Sequence, residues 1–206
     1  MDFDKAIEAM AAEAEAARKA NSFQATDEQN TESAQMMIAK DYQPLNQELF
    51  KRLAGYYTGY RLGMYKKGIA MFGDNGIGKT YFLNRILRVK MYRCKYLVDI
   101  YRDNRQLFDE LLRRGAGQYD VIPQSHLELS IDEVGEEQPL NDFGNKYEIF
   151  TDTLQVRHHL FESYGAKTHF TSNLTKDEFR ERYGTRCLSR MNQMCYLLET
   201  TGRDLR

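Results

Sequence analysis

Apolar residues recur at helical spacing between Asn46 and Tyr60, where Leu49, Leu53, Tyr56 and Tyr57 lie near one face. A short apolar run, Gly68 to Phe72, follows and suits a buried strand. The helical period returns from Tyr81 to Met91, with Phe82, Ile86 and Leu87 in phase. YLVDIY, Tyr96 to Tyr101, predicts a second strand, and a charged helix is expected from Asp103 to Arg114, ended by Gly115 and Gly117. Leu127 to Glu133 is β-prone but contains Glu128 and Ser130, which predicts a strand with one face partly exposed. Tyr147 to Tyr164 reads as a helix through Ile149, Phe150, Leu154, Leu160 and Phe161. Lys167 to Asn173 then reads as a strand with a polar end, and Thr175 to Arg182 as a helix. Strands alternating with helices predict an α/β fold around a central parallel sheet.

The N-terminal stretch departs from this pattern. Residues 3–20 are rich in Ala, Glu, Lys and Arg, which favour helix, but hold few large apolar residues. Asn21 to Ser33 is polar and reads as a flexible linker. The expected division is an acidic helical arm with its linker at 1–45 and one main domain at 46–206. The arm is either a frayed tail or a docking segment that folds on a partner.

Charge sharpens the division. Residues 1–45 carry four basic and nine acidic side chains, and the remainder is net positive within a chain of net charge −1. Arg85 to Arg114 holds nine basic and four acidic residues, a local excess that suits either a nucleic-acid face or a solvated helix surface. With 206 residues, the length fits one medium domain plus an appendage. No apolar run is long enough for a transmembrane helix, and the acidic, Ala-rich start is unlike a secretory signal. Cys94, Cys187 and Cys195 form no CxxC pair, which favours reduced thiols and a cytoplasmic setting. The histidines show no zinc-like spacing with them.

The chemistry is concentrated in GDNGIGKT, residues Gly73, Asp74, Asn75, Gly76, Ile77, Gly78, Lys79 and Thr80. This matches the phosphate-binding P-loop, G-x-x-x-x-G-K-[ST]. Glycines let the backbone turn its N–H groups onto phosphate oxygens, and a helix starting near Lys79 adds its positive dipole end. Lys79 supplies a cation for the β- and γ-phosphates, and Thr80 a hydroxyl for Mg²⁺. Tyr81 closes the set of candidate nucleotide contacts. The flanks, an apolar strand before and a helical pattern after, are those the motif requires.

Further along, Asp132-Glu133 ends the strand predicted at Leu127 to Glu133. At a strand's C-terminal edge Asp132 suits Mg²⁺, and Glu133 suits polarising a water. Asn173 ends the next strand and suits either a γ-phosphate contact or a helix cap. Arg186 and Arg190 share a helix face. Asn145-Lys146-Tyr147-Glu148 approximates the guanine-reading N-K-x-D motif but follows a polar loop instead of a buried strand, so ATP is the expected nucleotide.

Taken in order, the P-loop, Asp132-Glu133, Asn173 and the late arginines resemble the AAA+ ATPases. More narrowly, the chain resembles DnaC/DnaI-type replicative helicase loaders and their IstB-type transposition relatives. The resemblance covers about residues 46–206 and is most specific in TSNLTKDEFRERYGTRCLSRMNQMCYLLETTGRDLR. It implies a three-layer P-loop domain without a C-terminal helical lid, since only 16 residues follow Arg190. By the resemblance, Lys79 and Thr80 are Walker A residues, Asp132 and Glu133 the Walker B pair, and Asn173 the first sensor. Arg190 matches an arginine finger acting on a neighbouring subunit, with Arg186 beside it. The second sensor then falls to Arg203, with Arg206 as the alternative.

The function expected from these readings is an ATP- and Mg²⁺-dependent ATPase that self-associates through a shared ATP site. It binds single-stranded DNA and loads a replicative hexameric helicase, with no membrane partner. Arg85, Arg88, Arg102 and Arg105, with nearby tyrosines, are candidate DNA contacts. The rivals are an IstB-like transposition helper and a nucleotide-gated DNA- or protein-binding module with little turnover. A P-loop small-molecule kinase is disfavoured by the Arg190 region and by the lack of a substrate-binding insert.

Overall fold

The computed structural model describes residues 26–42, 47–112, 128–142 and 145–200. Within these, helix α1 spans Asp27–Ile38 and α2 Gln47–Arg61. Strand β1 (Gly68–Gly73) leads into α3, which runs Lys79–Tyr81 and continues as π-helical Phe82–Leu87. Strand β2 (Met91–Arg93) is followed by α4 (Cys94–Asp103), α5 (Arg105–Leu112) and β3 (Leu129–Val134). A hairpin of β4 (Leu140–Asp142) and β5 (Asn145–Tyr147) precedes α6 (Ile149–Tyr164). The chain then forms β6 (Thr168–Ser172), α7 (Lys176–Tyr183), α8 (Thr185–Met194) and β7 (Cys195–Thr200).

The main sheet has the order β2-β3-β6-β1-β7, every pair parallel. Side chains of a strand alternate between its two faces, and β1 shows the consequence. Ala70 and Phe72 pack with α4–α8, whereas Ile69 and Met71 pack with α1–α3. Two apolar layers sandwich the sheet, so the fold is the expected three-layer α/β arrangement. Parallel strands place all their C-terminal ends on one edge, and there the P-loop, Asp132-Glu133 and Asn173 meet. Among the described residues no helix is long and apolar enough to cross a membrane.

Five sequence expectations are corrected. From Asp27 onward the supposed linker is helix α1. The Thr26 hydroxyl accepts the Gln29 N–H at 3.2 Å, and Gln29 Oε1 accepts the Thr26 N–H at 3.1 Å. Only Ser33 and Met37 of α1 are buried, which is why its composition reads as polar. Met37 nonetheless lies in one apolar cluster with Leu53, Tyr57 and Phe82, so residues 26–42 pack with the domain. The helix expected over residues 3–20 lies outside the described residues.

YLVDIY belongs to a helix. Cys94, Leu97 and Val98 of α4 are buried at i, i+3, i+4 spacing while Lys95, Tyr96 and Asp99 face solvent. The strand beside β3 is Met91–Arg93 instead, in the register Met91↔Ser130, Tyr92↔Ile131 and Arg93↔Asp132. The helix expected to reach Met91 stops at Leu87, where Arg88 turns to a left-handed φ of 58°. Finally, β3 has no exposed face at Ser130, which is fully buried between β2 and β6, and Tyr147 belongs to the β4–β5 hairpin rather than to α6.

Candidate functional site

The P-loop turns through glycines at positive φ: Gly73 at 111°, Gly76 at 79° and Gly78 at 88°. Such angles strain any residue with a Cβ. A Cβ on Gly78 would also sit 3.1 Å from the Tyr42 ring. Ile77 is buried and anchors the middle of the loop. Lys79 folds back so that Nζ donates to the carbonyls of Gly73 and Asp74, each at 2.6 Å, and to Asn173 Oδ1 at 3.1 Å.

Strand order explains how the rest of the site assembles. Because β6 lies between β1 and β3, its end spans the gap between P-loop and Asp132. Thr80 Oγ1 donates to Asp132 Oδ1 at 2.9 Å across this gap. The Thr171 hydroxyl, on β6, also donates to Asp132 Oδ1 and accepts the Glu133 N–H at 3.0 Å. Glu133 stands at a positive φ of 58°, where the β3–β6 register shifts between Ile131 and Val134. The bulge redirects Glu133 out of the strand, and its carboxylate meets Arg93 at 3.4 Å. Partial burial, followed by the nearby charge of Glu136, raises the Glu133 carboxyl above its ordinary value, against the pull of Arg93.

The segment after Glu133 is clamped from α7. Arg182 donates to the carbonyls of Gly135 and Glu137, the latter at 2.6 Å, and to Glu148 Oε2 at 3.3 Å. Buried Glu137 accepts the Gly135 N–H at 2.8 Å and the Tyr183 hydroxyl. Glu136, between these fixed points, accepts Asn173 Nδ2 at 2.5 Å.

Of the residues expected from sequence, Gly73 to Thr80, Asp132, Glu133 and Asn173 therefore share one edge. The Tyr81 side chain is engaged elsewhere. Its hydroxyl donates to the Lys40 carbonyl at 2.5 Å and its ring stacks on Tyr42, tying the α1 end to the P-loop helix. Arg190, on α8, donates to Gln155 of α6 at 3.3 Å, and Arg186 is exposed. Among the described residues no hydrogen bond or ion pair links either arginine to the Lys79 cluster. Arg203 and Arg206 lie outside the described residues. Of the basic residues considered for DNA, Arg102 pairs with Asp99, and Arg105 pairs with Asp109 while stacking 4.0 Å over Tyr101. Arg85 and Arg88 are exposed around α3.

Sequence reasoning missed Thr171, Arg93, Glu136 and the Arg182 clamp. Thr171 had a signal, since it lies two residues before Asn173 and shares its strand face. The others depend on which strands are neighbours. An alcohol and a carboxylate sharing a 2.9 Å contact suit a hard cation that keeps much of its water, as Mg²⁺ does. The left-handed glycines with Lys79 suit a polyphosphate. The residues present fit a nucleotide with its divalent cation.

No family model and no curated protein matches the sequence. Solved structures do match. The crystal structure of the DnaC helicase loader superposes with a TM-score of 0.58 at 17% identity, covering 78% of this chain and 94% of that one. The replication initiator DnaA bound to AMPPCP and single-stranded DNA gives 0.52 at 15%, covering 77% of this chain and 47% of that one. The strand order, the P-loop position and these superpositions agree on one architecture: the chain has the fold seen in the DnaC helicase loader.

Proposed function

We propose that the protein is an ATP-dependent loader of a replicative DNA helicase, binding ATP with Mg²⁺ and single-stranded DNA and hydrolysing ATP where subunits meet. The observation that carries this reading is the convergence of Lys79, Thr80, Asp132 and Asn173 on one sheet edge, joined by hydrogen bonds of 2.9 Å and 3.1 Å. The likeness to the DnaC helicase loader, over nearly its whole length, supports the choice of partner.

In this mechanism Lys79 exchanges the carbonyls of Gly73 and Asp74 for the β- and γ-phosphates. Thr80 and Asp132 hold Mg²⁺, which when bound draws charge from the phosphate oxygens. Glu133, lifted out of β3 by the bulge, orients the attacking water, and Asn173 presents its amide to the γ-phosphate. Arg190, on α8 and bound to Gln155, is in this reading the finger that serves a neighbouring molecule. Stabilising charge then arrives only on assembly, which makes hydrolysis depend on self-association.

Affinity capture with Glu133→Gln in ATP tests the reading. A replicative helicase should be retained with ATP and lost with Lys79→Ala. Recovery of a transposase in its place would favour the IstB-like alternative. A mixture of Glu133→Gln and Arg190→Ala chains, each inactive alone, should regain turnover. Failure to do so would remove Arg190 from the finger role.

A further inference from the structure

Glu136 lies outside every motif of the sequence, yet it is bound directly to the centre of the site. Lys79 has only donors, so the Asn173 atom facing it must be the carbonyl oxygen. The atom facing Glu136 is then the amide nitrogen. The two ends of the Asn173 amide are thus held inside the chain, one by the P-loop lysine and the other by a carboxylate.

The position of that carboxylate is imposed by its neighbours. The Glu136 N–H donates to the Glu133 carbonyl at 3.2 Å, Gly135 before it has a φ of 106°, and Glu137 after it is buried and clamped by Arg182 and Tyr183. A Cβ on Gly135 would meet the Leu174 side chain at 2.7 Å, so the turn is tightly packed against the end of β6 as well. The Glu136 side chain itself is exposed and is able to swing. Its negative charge stands where Asn173 would offer an N–H to the terminal phosphate.

We propose that Glu136 is a specificity-determining residue that sets the preference of this site between nucleoside triphosphate and diphosphate. The proposal rests on the nucleotide reading above. In the resting chain Glu136 accepts one of the two N–H groups of the Asn173 amide. A γ-phosphate that reaches Asn173 brings like charge against Glu136 and must displace it. A diphosphate ends short of Asn173 and leaves the contact in place. Glu136 therefore weakens triphosphate binding selectively, and its release reports the presence of the γ-phosphate to the segment after Glu133.

The test is direct binding to the full chain in Mg²⁺, using AMPPCP and ADP as probes, for wild type, Glu136→Gln and Glu136→Ala. Gln keeps an acceptor for Asn173 but removes the charge. Both variants should bind AMPPCP more tightly by about fivefold, the size of one screened like-charge contact, with ADP affinity changed by less than about twofold. Thermal midpoints should stay near wild type, because the side chain is exposed. Equal changes for both nucleotides, no change, or weaker AMPPCP binding in Glu136→Gln would overturn the proposal; the last would make Glu136 a cation ligand. Wild type that binds both nucleotides with a ratio unmoved by Glu136→Gln removes this role alone. Wild type that binds neither overturns the nucleotide reading together with it.

Discussion

The Thr171 hydroxyl donates to Asp132 Oδ1 and accepts the backbone N–H of Glu133 at 3.0 Å, so one side chain of β6 positions both acidic residues of β3. Asp132 is buried, and Glu133 holds a positive φ that an ordinary strand would not maintain. Thr171→Val keeps the shape and removes both bonds. The unpaired Glu133 N–H should cost about 1–3 kcal/mol in stability. Under the proposed function, turnover of ATP should fall about tenfold to a hundredfold as the acids lose their placement. Thermal melts and phosphate release measure the two effects, and Thr171→Ser should recover most of both.

Arg182 does for the following segment what Thr171 does for the acids. Arg182→Ala leaves buried Glu137 with the Tyr183 hydroxyl and the Gly135 N–H but without a cation. Breaking a fully buried pair costs about 3–5 kcal/mol, and the partial exposure of Arg182 lowers the expectation to about 2 kcal/mol. Urea unfolding reads it. Arg182→Lys should recover little, because one ammonium cannot span the carbonyls of Gly135 and Glu137 and the Glu148 carboxylate.

Gly68 permits β1 and β6 to lie side by side. A Cβ there would fall 1.8 Å from the Thr168 carbonyl oxygen. Backbone cannot yield by that amount, so Gly68→Ala should destabilise by more than about 4 kcal/mol or abolish folding. Expression level and circular dichroism of the variant check it. A stably folded Gly68→Ala protein would show that β1 and β6 stand further apart than a 1.8 Å approach implies.

At the opposite edge of the sheet, buried His169 accepts the Ile69 N–H on Nδ1 at 3.3 Å, so its Nε2 carries the proton that faces Glu128 at 2.8 Å. Tyr60 donates to the other Glu128 oxygen at 2.9 Å. Burial by itself would raise the Glu128 carboxyl, but hydrogen bonds from His169 and Tyr60 hold it below its ordinary value of 4.5. A folded value below the unfolded one means the stabilisation is complete above pH 4.5 and is lost as pH falls through the folded value. Stability measured from pH 7 to pH 3 should therefore drop at the acid end, and Glu128→Gln should flatten that part of the curve. An identical acid limb in both proteins would exclude Glu128 as a source.

Local chemistry made the P-loop, Asp132-Glu133 and Asn173 readable from the chain. Glycines at left-handed positions, a lysine at a helix start and carboxylates at a strand end are requirements of a few consecutive residues. The α/β alternation was readable for the same reason. It follows from short-range periodicity, and the parallel sheet follows from it. Neighbours across the sheet decided the rest. YLVDIY contains residues suited to a strand, and it became helix because Leu97 and Val98, with Cys94, are buried on one side and Tyr96 and Asp99 are not. Asp27–Ile38 has too few apolar residues to announce itself, and it is held by Met37 entering the cluster around Leu53 and Phe82. The order β3-β6-β1 set Thr171 and Asn173 between the P-loop and Asp132, and brought Glu136 onto the Asn173 amide. Strand order is a property of long-range pairing, which no window of sequence contains. The sequence alone therefore determined which residues make up the candidate phosphate site, and only the tertiary structure decided which residues position and restrain them.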